Sequence, residues 1–388
     1  LRNETNPQQA DYLQKIQSAS ESLLLIINDI LDISKIEEKK LILESIPFEL
    51  EALIQKVVSI CSYKMGTKPL ELMVDIAPGV KTSLMGDPLR LQQVLVNLVD
   101  NAIKFTDKGL VYFTVETFSE NEDKNQLQFS ITDTGIGMTA EQQNKLFKSF
   151  TQADDSITRK YGGSGLGLTI TKQLIELMKS SIDVKSELGK GSIFTFTAEF
   201  IVDQTCKLVS TPLTLPEHLR VLLVDNHQLS KNIVLHALHE INISTIEATT
   251  AQQAVEQIEF ANKINKPYDL VLIDVNIAEF DSITAVKKRQ ASLPFILFVP
   301  VNQKHSAYQS SIGLNVVDII EKPIMPCTLR QSITQVLAPT ANISSVESKL
   351  NEIPQLSDFS VLLVEDNLLN QKVAKAFLAD THINIDCA

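Results

Sequence analysis

The chain has 388 residues, 44% of them hydrophobic and 21% charged, with a formal net charge of −12. That length exceeds one core and fits two or three soluble globular domains, while the acidic balance argues against a nucleic-acid-binding face, which needs a basic stripe. Cys61, Cys206, Cys327 and Cys387 lie far apart with no CxxC pair, which supports neither a zinc site nor a disulfide framework.

Residues 9–37 read as one long helix. Leu13, Ile16, Ser20, Leu23, Ile27 and Ile30 recur at three-and-four spacing, and Leu24 and Leu31 widen the stripe. Such a face needs a partner helix, and none is evident nearby. The aliphatic run Leu23 to Ile27 is far short of the roughly 20 residues that span a bilayer.

Residues 41–202 form a mixed region. Asp87-Pro88 predicts a helix start, Asp as cap and Pro at the first helical position. Leu91, Val94, Leu95, Leu98 and Ile103 mark the apolar side of that helix. Strands are expected at 110–117 and 127–132, then a helix at about 168–178 and two strands around 182–186 and 192–200. Residues 203–217 read as a linker.

From 218 to 338, continuous apolar strands alternate with helices: Val221–Asp225, Asp269–Asp274, Phe295–Val299 and Val316–Ile320. That pattern predicts a parallel sheet covered on both faces. A second linker, 339–357, leads to an internal repeat in which Val221 to Val224 recurs as Val361 to Val364. Leu229, Leu238 and Ile243 match Leu369, Leu378 and Ile383 without a gap. Residues 358–388 thus read as the start of a second copy of the same module.

Four motifs fall in order between residues 97 and 167. Asn97 and Asn101 stand at i and i+4, so both amides leave one helix face; their oxygens suit magnesium, and Lys104 can meet phosphate. Asp133-Thr134-Gly135-Ile136-Gly137-Met138 follows a strand, where Asp133 can accept from an adenine amino group and the glycines admit close approach. Leu146-Phe147-Lys148-Ser149-Phe150 reads as an apolar anchor beneath a lid. Gly162-Gly163-Ser164-Gly165-Leu166-Gly167 leads into a helix, where successive N–H groups can cradle phosphate.

Each motif alone is weak, but the set resembles the nucleotide-binding boxes of histidine kinase catalytic domains. Asn28-Asp29-Ile30-Leu31-Asp32-Ile33-Ser34-Lys35 likewise resembles the second helix of that family's dimerisation and phosphotransfer hairpin. The resemblance implies that Asn97 and Asn101 hold Mg2+, and that Lys104, Arg159 and Lys160 meet the phosphates of ATP. Asp133 would read adenine, Phe105 and Ile136 would line the base pocket, and Gly135, Gly137, Gly163, Gly165, Leu166 and Gly167 would close around the nucleotide. One departure is Lys179-Ser180, where the family often carries glycines.

Residues 218–338 resemble a response-regulator receiver, with Asp225 and Asn226 ending its first strand, Asp274 its third and Lys322-Pro323 closing its fifth. Acyl-phosphate chemistry on aspartate needs acids around magnesium, a nucleophilic Asp, a hydroxyl and a lysine. Here Asn226 replaces an acid, and Val299-Pro300 stand where the hydroxyl is usual. The repeat restores the acids as Glu365-Asp366. The expected fold is multidomain α/β: a helical hairpin remnant at 1–40, an α/β-sandwich ATPase domain and a flavodoxin-like doubly wound receiver.

The resemblance further implies a protein-histidine kinase of a phosphorelay, here the cytoplasmic portion of a parent anchored in the inner membrane. It would be a homodimer through its hairpin helices and would pass phosphate to a downstream phosphotransfer domain or response regulator. None of the six histidines precedes His218, so the acceptor histidine is expected upstream of this sequence. The rival reading is a nucleotide-binding scaffold whose receiver only docks partners.

Overall fold

The computed structural model describes residues 40–66, 68–120, 124–147, 166–202, 219–277, 293–300 and 314–337, with scattered positions between 20 and 38 and short pieces after 360. Within the expected 9–37 helix, Ser20, Ile27, Leu31, Asp32, Ser34, Lys35 and Ile36 are helical and the rest lie outside the described residues.

The first sheet is built from β1 (Ile46–Glu49), β2 (Leu70–Ile76), β3 (Ser83–Gly86), β4 (Gly109–Glu120), β5 (Lys124–Asp133), β6 (Ile182–Glu187) and β7 (Gly191–Val202). Its order is β1-β3-β7-β5-β4-β2, with β6 pairing β7, so β2 is an edge strand. Strand β2 runs parallel to β4, while β4, β5 and β7 are antiparallel neighbours. Val111, Phe113 and Val115, then Leu127, Phe129 and Ile131, then Phe194 and Phe196 alternate onto one buried face, as a period of two dictates.

Helices cover that face in a second layer: α1 (Leu50–Met65), α2 (Pro88–Phe105) and α4 (Gly167–Leu177), with the short α3 (Ala140–Lys145) outside the core. The α2 helix starts as its Asp-Pro pair predicts, with the Asp87 carboxylate accepting from the Arg90 N–H at 3.0 Å. It buries Leu91, Val94, Leu95, Leu98 and Ile103 against β4 and β5, each such side chain contributing roughly 1.5–3 kcal/mol. Its C-terminus is held by Lys68, whose ammonium donates to the carbonyls of Ile103 (2.7 Å), Thr106 (3.2 Å) and Lys104 (3.4 Å). A cation there matches the negative end of the helix dipole.

The described residues at the end of the expected 9–37 helix do find a neighbour. The Asp32 carboxylate accepts from Arg90 and Gln93 of α2, both at 2.9 Å, and Ile36 packs against the core. Lys179 sits at φ +60°, in the left-handed region, where the family often has glycine.

The second sheet has five strands: β8 (Arg220–Val224), β9 (Ser244–Ala248), β10 (Leu270–Asp274), β11 (Pro294–Val299) and β12 (Asn315–Glu321). All pairings are parallel, in the order β12-β11-β10-β8-β9. That is the flavodoxin-like doubly wound order; β8, β10 and β11 are buried on both faces as expected, whereas the edge strand β12 is only partly covered and Val317 is exposed. Leu222, Val271 and Phe295 face α6 (Ala251–Lys263), whereas Val221, Leu270 and Ile296 face α5 (Gln228–Glu240) and α7 (Pro326–Leu337). Residues 338–388 form a separate unit, in which β13 (Ser360–Leu363) and β14 (Asn384–Cys387) pair in parallel.

Candidate nucleotide site and receiver pocket

The expected nucleotide residues converge where the C-terminal half of α2 meets the end of β5 and the start of α4. Asn97 and Asn101 share one face, with the Asn101 amide donating to the Asn97 oxygen at 3.4 Å. Asn97 in turn donates to the Thr171 hydroxyl at 2.7 Å. Gly167 stands against them: a Cβ on it would lie 2.6 Å from Asn97 Oδ1. The start of α4 is therefore close enough to the α2 amides for one ligand to meet both. The Leu166 side chain lies in the core, so whatever it offers a ligand comes from its backbone.

Asp133 closes β5 and is 5% exposed. Its carboxylate accepts from the Gly135 N–H at 2.8 Å and from Ser192 of β7. Burial pushes its carboxyl up, and those hydrogen bonds partly restore the ionised form. Gly135 has no room for a side chain, since a Cβ would lie 2.3 Å from the Phe105 carbonyl oxygen. Gly137 adopts φ +63°, and a Cβ there would lie 1.9 Å from the Glu187 carbonyl oxygen. The Ile136 N–H donates to the Phe105 carbonyl at 3.2 Å, which joins the two residues expected to line a base. Burial lowers the Lys104 ammonium, and its Nζ lies 5.1 Å from the Phe105 ring centroid.

Three of these partners carry no local sequence signal. Lys68, Thr171 and Ser192 lie on other elements and become neighbours of the site only through packing. Thr106 is a fourth. Its hydroxyl is fully buried, has no hydrogen-bond partner among the described residues, and lies 2.8 Å from where a Gly135 Cβ would be. An unpartnered buried hydroxyl beside glycines with no room to spare fits a site awaiting a polar ligand. Arg159, Lys160, Gly163 and Gly165 lie outside the described residues.

In the second sheet the parallel strands bring their carboxyl ends together, as a doubly wound fold does. Asp225 follows β8 and is fully buried; Asp274 ends β10; Lys322 follows β12. Lys322 Nζ meets Asp274 Oδ2 at 2.6 Å. Burial alone would lower this ammonium, but Asp274 and Glu71 outweigh it and raise it. Asp225 accepts from the His227 N–H at 2.7 Å, and its other oxygen has no partner among the described residues. Burial pushes its carboxyl up, hydrogen bonds oppose the shift and the Asp274 charge adds to it. Asn226 is exposed, and Val299, where a hydroxyl was looked for, is a core residue. Glu365 and Asp366 lie outside the described residues.

Residues 86–201 match the family of histidine kinase-, DNA gyrase B- and HSP90-like ATPases. Residues 221–334 match the response regulator receiver domain, and residues 1–39 the His kinase A phospho-acceptor domain. Sensor protein GacS of Pseudomonas syringae is 33% identical over 387 residues, covering 98% of this chain and 42% of the relative. The signal transduction histidine-protein kinase BarA of Escherichia coli K12 is 33% identical, covering 98% and 40%. The chain thus spans about two fifths of the length of these relatives. A crystal structure of full-length ShkA in complex with AMPPNP shares the fold, with a TM-score of 0.66 at 22% identity, covering 100% of this chain and 76% of that one. The chain thus carries phospho-acceptor, ATPase and receiver sequences in that order, and along nearly its whole length it is similar to sensor histidine kinases.

Proposed function

We propose that residues 41–202 bind ATP and donate its γ-phosphate to a histidine, as the kinase half of a phosphorelay. The observation that carries this reading is that α2 holds both clusters, Asn97 and Asn101 against Gly167 and, at its C-terminal end, Phe105 against Gly135 beside the buried Asp133. Phosphoryl transfer asks a protein for positioning and charge stabilisation more than for covalent chemistry. Asp133 would accept a hydrogen from the adenine amino group, and Thr106 could satisfy its hydroxyl on the same ligand. Lys104, with Arg159 and Lys160, would supply positive charge to the phosphates, and Gly163 and Gly165 would let the loop before α4 close on them. Magnesium, when bound, neutralises phosphate charge, and the amide oxygens of Asn97 and Asn101 are hard ligands suited to hold it.

The phosphoryl group would pass from the histidine to a receiver aspartate, and on to a phosphotransfer domain or response regulator. Dimerisation through residues 1–40 and an inner-membrane anchor in the whole protein belong to the same proposal. Among the described residues no helix is long and apolar enough to cross a membrane. Exposed Asn226 and buried Val299 favour a second reading for the receiver alone, as a docking module that accepts phosphate weakly or not at all.

The test is calorimetric titration with Mg-ATP, followed by γ-labelled ATP with and without a supplied histidine-bearing hairpin helix. We expect saturable binding, and acid-labile, base-stable label only when the helix is supplied. Absence of ATP binding overturns the kinase reading, and binding without histidine label favours the scaffold.

A further inference from the structure

The receiver's lysine is shared with the ATPase domain. Lys322 Nζ lies 2.6 Å from Asp274 and equally 2.6 Å from Glu71 Oε1, on the edge strand β2. An ion pair and a further polar pair join the same surfaces. Arg330 of α7 donates to both oxygens of Glu51 on α1, at 2.8 and 2.7 Å, and His236 of α5 faces Asp75 of β2 at 3.5 Å. All three acids belong to the ATPase domain and all three bases to the receiver. Met325, 3% exposed, lies within the ATPase domain's apolar core, and Cys327 packs against it. The edge of the first sheet is thereby covered by the receiver, which an unpaired strand requires.

We propose that Glu71 competes for the receiver's lysine, so that docking on the ATPase domain and phosphorylation of Asp274 oppose one another. An ammonium has three donors, and two are already committed, one to each carboxylate. A phosphoryl group on Asp274 would bring a charge of about −1.5 to −2 beside Glu71, within a partly buried seam. One ammonium would then face Glu71 and a more highly charged partner at once, and the repulsion between those anions weakens its hold on Glu71 and with it the docked state. Linkage makes the effect mutual at equilibrium: the factor by which docking disfavours the phosphorylated state is the factor by which the phosphoryl group disfavours docking. This competition is independent of the nucleotide site and goes beyond the kinase reading.

The test uses acetyl phosphate and magnesium on the whole chain, without ATP. An Asp274 carboxylate oxygen attacks phosphorus, the bond from phosphorus to the acetyl oxygen breaks, and acetate leaves. Hydrogen exchange at residues 70–76 and 228–240 reports docking in parallel. Glu71→Gln should raise label at Asp274 about fivefold or more, the lower end of ordinary coupling between sites, and speed exchange in both segments. Arg330→Glu, which leaves the lysine untouched, should do the same, and adding Glu51→Arg should restore slow exchange and low label. Asp274→Ala gives the background. Label unchanged in Glu71→Gln and Arg330→Glu, including none in either, overturns the proposal. So does docking that weakens on dilution, which would assign the contact to a second copy.

Discussion

Replacing Asp133 by Asn tests the nucleotide site at its buried carboxylate. The carboxylate only accepts hydrogen bonds, and it already takes them from Gly135 at 2.8 Å and from Ser192. Its remaining capacity suits the adenine amino group and repels guanine, which presents a carbonyl oxygen at the corresponding position. An amide at this site offers a donor as well as an acceptor, so it removes the discrimination without emptying the space. Leaving one buried polar group unpaired costs about 1–3 kcal/mol, which is about 5- to 150-fold in affinity. The assay is isothermal titration of ATP and GTP against both proteins, with thermal unfolding as the control for folding. We expect ATP affinity to fall by that factor, GTP affinity to hold or rise, and the unfolding midpoint to move by only a few degrees. An unchanged ratio of ATP to GTP affinity in a folded variant would refute the assignment of Asp133 to the base.

Gly167→Ala should weaken Mg-ATP binding about tenfold while leaving folding intact, because the new methyl displaces only the Asn97 side-chain tip and alanine favours helix; unchanged affinity would remove Asn97 from the site. Asp225→Asn should stabilise the receiver by about 1 kcal/mol at pH 8 through loss of a buried, half-satisfied charge. A carboxyl raised in the fold contributes stability at acid pH that is lost as pH climbs through the raised value. The advantage of the variant should therefore shrink towards pH 4, and a pH-independent difference in urea midpoints would contradict this. Lys179→Gly should raise the unfolding midpoint by a degree or more, since a non-glycine residue in the left-handed region costs roughly 1–2 kcal/mol, only part of which glycine's greater unfolded freedom offsets.

Much of the fold was legible in the sequence because local chemistry determines it. Asp87-Pro88 set the start of α2, and its apolar spacing named the face that is buried. Continuous apolar runs marked four of the five parallel strands, the exception being β9, whose Ser244–Ala248 mixes polar and apolar residues. Strands β1, β2 and β3 of the first sheet were likewise not placed, because short or mixed strands carry little period of their own. Asn97, Asn101, Asp133 and the glycines could be singled out because each motif is contiguous, with Asp133 and Gly167 at element ends where backbone geometry favours particular residue types.

Only the tertiary structure supplied the groups that act across elements. Lys68 reaches the end of α2 from the chain before β2, Thr171 meets Asn97 across 74 residues, and Ser192 meets Asp133 because β7 pairs with β5. The sharing of Lys322 between Asp274 and Glu71 spans 251 residues to the second carboxylate. Composition and periodicity reveal what a residue prefers nearby, through backbone dihedrals and the burial of one face. Which charges end within 3 Å of one another depends on how separate sheets and helices pack, and that is written in no local stretch of the chain.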